Sequence, residues 1–434
     1  MMQDNPINGK FPRHWQRVTL GELCNNSGGQ IQTGPFGSQL HAADYVSIGV
    51  PCIMPINIGE KRVLKDDIKK ITEDDAIRLH RHRLQKGDLI YSRRGDVERH
   101  ALIEDAEDGW LCGTGCLKVR LGNCNVLSKY ASYYLSHPSV KNWISRHAIG
   151  STMPNLNTSI MASVPFLIPP IDEQIELIEI LGPLDEKIEL NRQMNQTLEQ
   201  MARALFKSWF VDFDPVVAKA AGKKPFGMSE EIAALFPDKF VDSEFGRIPK
   251  GWRVSKLKGK CQISSGKRQK DKSLYKDDSH QFPLYGGGGL MGYVPRPLLD
   301  KPIIITGRVG TLGLVFMERE PCWPSDNTLV LQANCQSMFE FIYFYLNSID
   351  LALMNRGSTQ PLLTQGDLKQ LDLVIPQNEV LWHYHKISES FFSLIDSNNE
   401  EIEVLNTIRD TLLPKLLSGE IRVKTAEKLI SEAV

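Results

Sequence analysis

No apolar run in this chain of 434 residues approaches the roughly 18 residues that a membrane span needs, and the stretch Met1 to Lys10 lacks the apolar core of a secretory signal. Both absences point away from a membrane and make the cytoplasm the expected location. Cysteine is sparse in pattern if not in number. Of the eight, only Cys112 and Cys116 lie close together, and no second close pair completes a set of four ligands. That spacing argues against structural zinc or a disulfide framework and predicts reduced, mostly buried thiols. An excess of one charge is missing too, the net charge being −1. Catalytic signatures are also absent. Gly266-Lys267 follows Ile263-Ser264-Ser265 and precedes Arg268, which excludes a phosphate-binding P-loop, and Gly307, Gly310 and Gly313 do not fit a dinucleotide fingerprint. The chain has no methyltransferase Asn/Asp-Pro-Pro-aromatic motif, helicase signature, nucleophile elbow or zincin motif. His80 with His82, and His383 with His385, are spaced so that a helix would split them. These absences favour a recognition protein over an enzyme.

What the chain does contain, it contains twice. Gly9, Pro12, Trp15 and Leu20 recur as Gly246, Pro249, Trp252 and Leu257. Leu184, Ile188, Asn191, Asn195, Leu198, Ala202, Leu205 and Trp209 return in phase as Phe391, Ile395, Asn398, Ile402, Leu405, Arg409, Leu412 and Leu416. So long a repeat is a duplicated domain rather than a solenoid, whose periods are about 20 to 50 residues. With 41% hydrophobic and 24% charged residues, the composition is that of a soluble globular protein of two domains plus joining helices.

The first block reads as short apolar segments broken by Gly, Pro, Asn and Asp, among them Val50 to Ile58, Asp88 to Tyr91 and Cys116 to Leu121. A helix is predicted near Leu127 to Ala148. The second block repeats the plan in fewer residues. The expected organisation is a mixed α+β (α/β) chain: block 1 over 1–168, a spacer helix over 169–214, a linker over 215–245 with a short helix near Ser229 to Phe236, block 2 over 246–376, and a second spacer helix with its tail over 377–434. Each long helix follows a proline junction, Ile168-Pro169-Pro170 or Ile375-Pro376, and Asp172 or Asn378 can cap its first turn.

Alternating spacings of four and three make both helices heptad seams. The seam positions are Leu184, Ile188, Asn191, Leu198 and Leu205 in the first, and Phe391, Ile395, Asn398, Ile402, Leu405, Leu412 and Leu416 in the second. A buried asparagine costs stability but can fix register when it meets another amide. The competing arrangement lays each helix on its own block alone.

Charge is local. Lys250 to Lys276 holds ten Lys or Arg against Asp271 alone, and Arg78 to His100 holds seven against three acids, whereas Asp172 to Glu189 holds seven acids and only Lys187. Confined basic faces suit a protein that meets phosphates at particular places. Beside them lie loops rich in hydrogen-bonding groups: Gly150-Ser151-Thr152-Met153-Pro154-Asn155 matches Gly357-Ser358-Thr359-Gln360-Pro361-Leu362, and Arg93-Arg94-Gly95-Asp96 stands where the second block has Gly307-Arg308-Val309-Gly310. Arg, Asn and Gln can make paired bonds to base edges, and Ser and Thr can reach phosphates.

Taken in order, Ile248-Pro249-Lys250-Gly251-Trp252 and its earlier counterpart, Tyr285 to Tyr293, Ile304 to Val315, Trp323 to Leu329, the Gly-Ser-Thr loops, and the helix ends Leu205-Phe206-Lys207-Ser208-Trp209-Phe210 and Leu412-Leu413-Pro414-Lys415-Leu416-Leu417-Ser418-Gly419 resemble the specificity subunit of type I restriction-modification systems. The resemblance covers nearly the whole chain. It implies two tandem target recognition domains, separated by long helices packed as an antiparallel coiled coil, each reading one half of a split, asymmetric sequence in double-stranded DNA. It also implies two modification (methyltransferase) subunits per chain and restriction subunits that translocate DNA with ATP. S-adenosylmethionine, ATP and Mg would then sit on those partners, with no cofactor, metal or catalytic residue here. The DNA contacts expected are Arg93, Arg94 and Arg99 in block 1 and Lys267, Arg268 and Arg308 in block 2. Ser151, Thr152, Ser358 and Thr359 follow, their recurrence in both blocks suiting a shared scaffold. The rival readings are a coiled-coil scaffold that binds only proteins, which needs no basic faces, and an unrecognised nuclease or methyltransferase.

Overall fold

The computed structural model describes residue 12 and residues 14–150, 153–357 and 360–421. The chain falls into two compact units, one holding the residues up to Leu190 together with those from Glu401 on, the other Asn191–Glu400. Each unit therefore contains one globular block and parts of both long helices, Ile171–Phe206 and Asn378–Leu417.

In the first unit an antiparallel sheet has the strand order Gly28–Thr33, Cys116–Gly122, Leu89–Ser92, His100–Leu102. A second sheet runs Tyr45–Val46, Lys69–Ile71, Val50–Ile53, Leu111–Cys112, its last pair parallel. Gln16–Thr19 pairs with Pro165–Ile168 just before the first long helix. The second unit repeats this: Cys261–Ser265, Thr328–Ala333, Ile303–Gly307, Val315–Glu318 form the antiparallel sheet. Gly289–Val294, Phe282–Gly286 and Trp323–Pro324 form the mixed one, again with a parallel last pair, and Arg253–Lys256 pairs with Asp372–Ile375 before the second long helix. The sequence repeat is thus a repeat of strand order. The Gly286 to Gly289 run is the tight turn of a hairpin, whereas the equivalent turn in the first unit carries some fifteen residues between Ile53 and Lys69.

The helix expected over Leu127 to Ala148 is two helices, Ser128–Ser136 and Pro138–His147. Pro138 cannot donate to the preceding turn but fits the first turn of a new helix. His137 caps the new start, its Nδ1 accepting from Ser139 N–H at 3.1 Å. The apolar stripe survives the break: Tyr130, Tyr134, Leu135 and Ile144 are buried and Trp143 half-buried. In the linker, Ser229 caps Glu230–Ala234 and Phe236 is buried in the core of the second unit.

The long helices begin at Ile171 and Asn378, so Asp172 and Asn378 lie inside their first turns rather than at the capping position. The start of the first is fastened by Gln174, fully buried, whose amide donates to Asn125 O and Pro169 O and accepts from Leu127 N–H at 2.8 to 3.0 Å. Trp15 Nε1–H adds a bond to Glu173 at 2.7 Å.

Within each unit the helices run antiparallel. In the first, Asp185 meets Arg409 at 3.0 Å and Lys187 meets Glu401 at 3.1 Å; in the second, Asn195 meets both Asn398 and Asn399 at 2.7 and 2.8 Å. Leu184, Ile188, Asn191, Leu198, Asn398, Leu405, Leu412 and Leu416 are buried, and Leu205, Phe391, Ile395 and Ile402 are half-buried. Leu181, Leu184, Ile188, Leu405, Leu412 and Leu416 also share one core with Tyr130, Tyr134 and Phe166 of the first block. The helices therefore pack both on each other and on the block. At its end the first helix passes into a π turn, Lys207–Val211, which buries Trp209 and Phe210 together: Trp209 packs on Phe236 at 5.1 Å, and Phe210 on Phe341 and Tyr384 at 5.0 Å each.

The first core encloses two histidines held neutral. Burial pushes His100 down to about 3, the ring stacking on Tyr91 at 5.0 Å and bonding Ser132 Oγ at 3.0 Å, and burial pushes His137 down to about 4. Both folded values lie below the unfolded value of about 6.5, so their contribution to stability is complete above that pH and is lost as pH falls toward 4 and 3. Stability of the first unit is expected to rise with pH between about 4.5 and 6.5 by up to about 1.4 kcal/mol per pH unit for each histidine. NMR titration of the two imidazoles, alongside urea unfolding at each pH, checks this. Imidazoles titrating near 6.5 in the folded protein would refute it.

Candidate nucleic-acid interface

One end of the antiparallel sheet in each unit carries the loops that sequence analysis singled out. In the first unit, Thr33 and Ser92 end their strands where Cys116 and His100 begin theirs. In the second unit the same end is marked by Ser265, Gly307, Thr328 and Val315. The loops that leave these strand ends have the same backbone hydrogen bonds in both units, and those bonds give a residue-by-residue equivalence.

Arg93 N–H donates to Gly115 O and Arg93 O accepts from Leu156 N–H, each at 2.8 Å; Arg308 N–H donates to Asn327 O at 2.8 Å and Arg308 O accepts from Leu363 N–H at 2.9 Å. Two residues on, Gly95 N–H donates to Pro154 O at 3.1 Å and Gly310 N–H to Pro361 O at 3.0 Å. Both glycines need left-handed φ, +73° and +85°. Arg93 is therefore the counterpart of Arg308, Arg94 of Val309, and Gly95 of Gly310. The prolines belong to the Gly-Ser-Thr loops, so the structure joins two features that lie about sixty residues apart in the first block and about fifty in the second. Ser151, Thr152, Ser358 and Thr359 themselves lie outside the described residues.

A third loop meets the other two. Gly34 N–H donates to Cys116 O at 2.9 Å and Gly266 N–H to Thr328 O at 3.2 Å. A Cβ on Gly34 would collide with the carbonyl of Gly113, and one on Gly266 with the carbonyls of Pro324 and Ser325. Lys267 and Arg268 follow Gly266 as Pro35 and Phe36 follow Gly34. Lys267 has its backbone pinned on both sides, N–H to Pro324 O at 3.0 Å and C=O from Trp323 Nε1–H at 2.7 Å, while its side chain and that of Arg268 are exposed. Arg268, Lys270, Lys272, Met291 and Asn327 share the wall of a hollow of about 410 Å³.

The two basic stretches differ in how far they are neutralised. In Arg78 to His100, Arg78 pairs with Asp75 at 2.6 Å, Arg83 with Glu73, Lys86 with Asp105 at 2.8 Å, and Arg99 with Asp96 at 2.5 Å. Arg81, Arg93 and Arg94 have no carboxylate partner among the described residues, although Arg93 Nε–H bonds Leu156 O at 3.1 Å. In Lys250 to Lys276, by contrast, Lys256 pairs with Asp372 at 2.6 Å, and Lys267, Arg268, Lys270 and Lys272 have no carboxylate partner among the described residues. Among the described residues, the second unit leaves more basic side chains without a carboxylate partner at its loop end. Exposed pairs such as Arg99 with Asp96 contribute no more than about 1 kcal/mol and can exchange for a phosphate.

Sequence reading missed Asn327, exposed and lying where the first unit has Gly115. The Ser325-Asp326-Asn327 loop was visible only as part of a family landmark, and nothing in its spacing marks it as a contact.

The histidine pairs do not converge. His80 bonds Ile77 O and His82 bonds Thr33 O, both at 3.1 Å. His385 joins Glu340 at 2.7 Å, and together with Glu389 these form the one group of metal-ligand composition among the described residues. Arg319 already serves those carboxylates, binding Glu389 through two bonds at 3.0 Å and Asp396 at 2.9 Å and approaching Glu340 at 3.8 Å. A guanidinium fixed there opposes a second cation and ties the sheet to the second long helix. Six of the eight cysteines are buried, including Cys112 and Cys116, and all are free thiols. No helix among the described residues is long and apolar enough to cross a membrane.

Two blocks with one backbone plan, basic loop ends and different side chains in equivalent places define a tandem nucleic-acid recognition protein. Comparison with known proteins makes that class specific. The family model described as type I restriction modification DNA specificity domain matches twice, over residues 12–200 and 249–407, and the chain belongs to this family. It is 26% identical to the type I restriction enzyme HindI specificity subunit of Haemophilus influenzae, over 94% of this chain and 99% of that one. It is 23% identical to the MjaIX specificity subunit of Methanocaldococcus jannaschii, over 96% and 95%. In fold it is similar to the type I restriction-modification S subunit from M. genitalium, with a TM-score of 0.50, 18% identity, and coverage of 94% and 98%. The chain is thus a non-catalytic DNA-recognition component of a type I restriction-modification system.

Because Gly34 and Gly266 let two backbones touch, Gly34→Ala and Gly266→Ala are each expected to cost about 1–3 kcal/mol. Thermal unfolding and DNA binding by the assembled complex, measured for both variants, check this, with loss of binding larger than for an exposed control such as Gly37→Ala. Unchanged stability and binding would show that the close approach is not required.

Proposed function

We propose that this chain reads a bipartite, asymmetric DNA sequence, one half with each block, and that its paired helices set the gap between the halves. In functional terms the blocks are the target recognition domains over 1–168 and 246–376. The stretches 169–214 and 377–434 supply the spacer helices, and 215–245 is the linker that returns the chain to the second block. Two modification subunits dock per chain and carry S-adenosylmethionine, and restriction subunits bring ATP and Mg to the same cytoplasmic complex. Arg93, Arg94, Arg99, Lys267, Arg268 and Arg308 contact DNA, with Ser151, Thr152, Ser358 and Thr359 as phosphate contacts from the adjoining loops.

The observation that carries this reading is the equivalence of the two loop ends: one backbone hydrogen-bond plan, with arginine conserved between units at Arg93 and Arg308 but different side chains around it. A homodimer with two identical reading heads recognises a palindrome. Two heads that share a scaffold and differ in loops read two different half-sites in a fixed order. The relatives' printed names, specificity subunits of type I restriction enzymes, support the same assignment.

Methylation mapping across a genome, in cells carrying the neighbouring modification subunit with and without this chain, tests the proposal. A split, asymmetric methylated motif that depends on the chain is the expected result. The absence of any such motif, together with no sequence preference in DNA binding by the purified complex, would leave a protein-binding scaffold instead. Removing seven residues from the second long helix between Asn398 and Leu412, with a matching deletion in the first, is expected to change the gap and leave both half-sites unaltered; an unchanged gap in an assembled complex would refute the spacing role.

A further inference from the structure

The backbone equivalence allows the two loop ends to be compared position by position, and only some positions match in chemistry. Arg93 and Arg308 match. Both are half-buried, both are held by the same two main-chain hydrogen bonds, and each stands two residues before a left-handed glycine that fixes the loop. A residue that is the same in two heads cannot make the heads differ. Three neighbouring positions do differ. Arg94, exposed, faces Val309 in the comparison; Arg268, exposed, faces Phe36; Asn327, exposed, faces Gly115. In each pair one unit offers a side chain able to form two hydrogen bonds to a base edge, and the other offers a group with none. Arginine pairs with the acceptors of guanine and asparagine with the donor and acceptor of adenine, each pairing discriminating by about 1–3 kcal/mol.

The local geometry suits these three for reading. Their backbones are fixed: Asn327 O accepts from Arg308 N–H at 2.8 Å, Arg268 follows a lysine pinned on both sides, and Arg94 lies between two anchored residues with its C=O accepting from Ser92 Oγ–H at 2.9 Å. Their side chains have no hydrogen-bond partner among the described residues, and a fixed stem with a free tip loses little order on binding. Arg268 and Asn327 also line the same hollow in the second unit, with Lys270 and Lys272 beside them to meet the phosphates.

Resting on the DNA-reading role proposed above, we infer that Arg268 and Asn327 specify bases in the half-site of the second unit and Arg94 in that of the first, whereas Arg93 and Arg308 are a matched, sequence-neutral grip on the DNA backbone. Half-site identity is then written at equivalent positions with unlike side chains, and affinity at equivalent positions with like ones.

The test uses the full complex with its modification subunits and exchanges residues between units: Asn327→Gly, Arg268→Phe and Arg94→Val, with Arg308→Ala for comparison. Methylation mapping reads the motif, and binding of the purified complexes over a salt series reads the contacts. Asn327→Gly and Arg268→Phe are expected to lower discrimination about tenfold or more at a base of the second half-site alone, and Arg94→Val at a base of the first alone. Arg308→Ala is expected to keep every base of the motif, weaken binding evenly across sequences, and reduce the slope of log affinity against log salt by about one. Asn327→Ala and Arg268→Ala, which leave the main-chain bonds of the loop in place, carry the same expectation should an exchange prevent assembly. An unaltered motif in the variants at Asn327, Arg268 and Arg94, or a changed base in Arg308→Ala, overturns the inference while leaving the DNA-reading role intact. A wild-type complex with no chain-dependent motif overturns both.

Discussion

Everything in this molecule depends on the burial of two helix stripes at once against each globular block. Neither long helix could be stable through its own hydrogen bonds and propensity alone, since helical stability in water comes mainly from packing an apolar face. In the first unit Leu181, Leu184 and Ile188 from one helix and Leu405, Leu412 and Leu416 from the other enter a single core with Tyr130, Tyr134 and Phe166. In the second, Ala202 and Phe206 join Tyr384 and Phe392 around Phe341 and Trp252. The seam is therefore part of each domain core and more than a connector. Polar contacts refine what burial establishes. Asn398 meets Asn195, and the amide ladder with Asn399 penalises any slip of register.

Much of this plan was legible in the sequence because it rests on periodicity. Heptad spacing marked positions that the structure buries or half-buries, the shift of 207 between the two helix patterns announced the duplication, and the Gly and Pro loops fell where strands end. Other features escaped for physical reasons. The break at Pro138 was readable in principle, since proline inside a helix costs a hydrogen bond, but an unbroken apolar stripe concealed it. Neutralisation of the first basic stretch was readable only in part: Asp75 stands one helical turn before Arg78, whereas Glu73 and Asp105 are brought to Arg83 and Lys86 by the fold. Asn327 had no signal either: its importance comes from standing where the other unit has Gly115, and that equivalence exists only in the hydrogen bonds of Arg93 and Arg308.

The duplication separates two demands that usually compete. A recognition loop must vary if it is to read new sequences, yet its backbone must stay fixed if the reading is to be sharp. Here rigidity is supplied by main-chain bonds and by glycines such as Gly34 and Gly266, whose requirement is indifferent to neighbouring side chains. The tips are thereby free to change without cost to the scaffold. The buried charges of the interior obey the opposite rule: Lys118 is capped by Arg81 O and Arg83 O, and Arg120 is locked to Asp88, so any change there leaves an orphan.

The interleaving of the two units in the chain has a consequence for biosynthesis. The first block emerges from the ribosome early, but the helix segment that completes its core, from Glu401 to Leu417, is translated only after the whole of the second unit. Until then Leu181, Leu184 and Ile188 have no helical partner, and closing the core demands contacts between residues more than two hundred positions apart, the costliest kind for a folding chain. The second unit, contiguous from Asn191 to Glu400, can mature first. A chain of this design therefore closes its earlier head last, and a released product truncated near residue 400 retains every residue of the second unit but lacks the helix segment that completes the first.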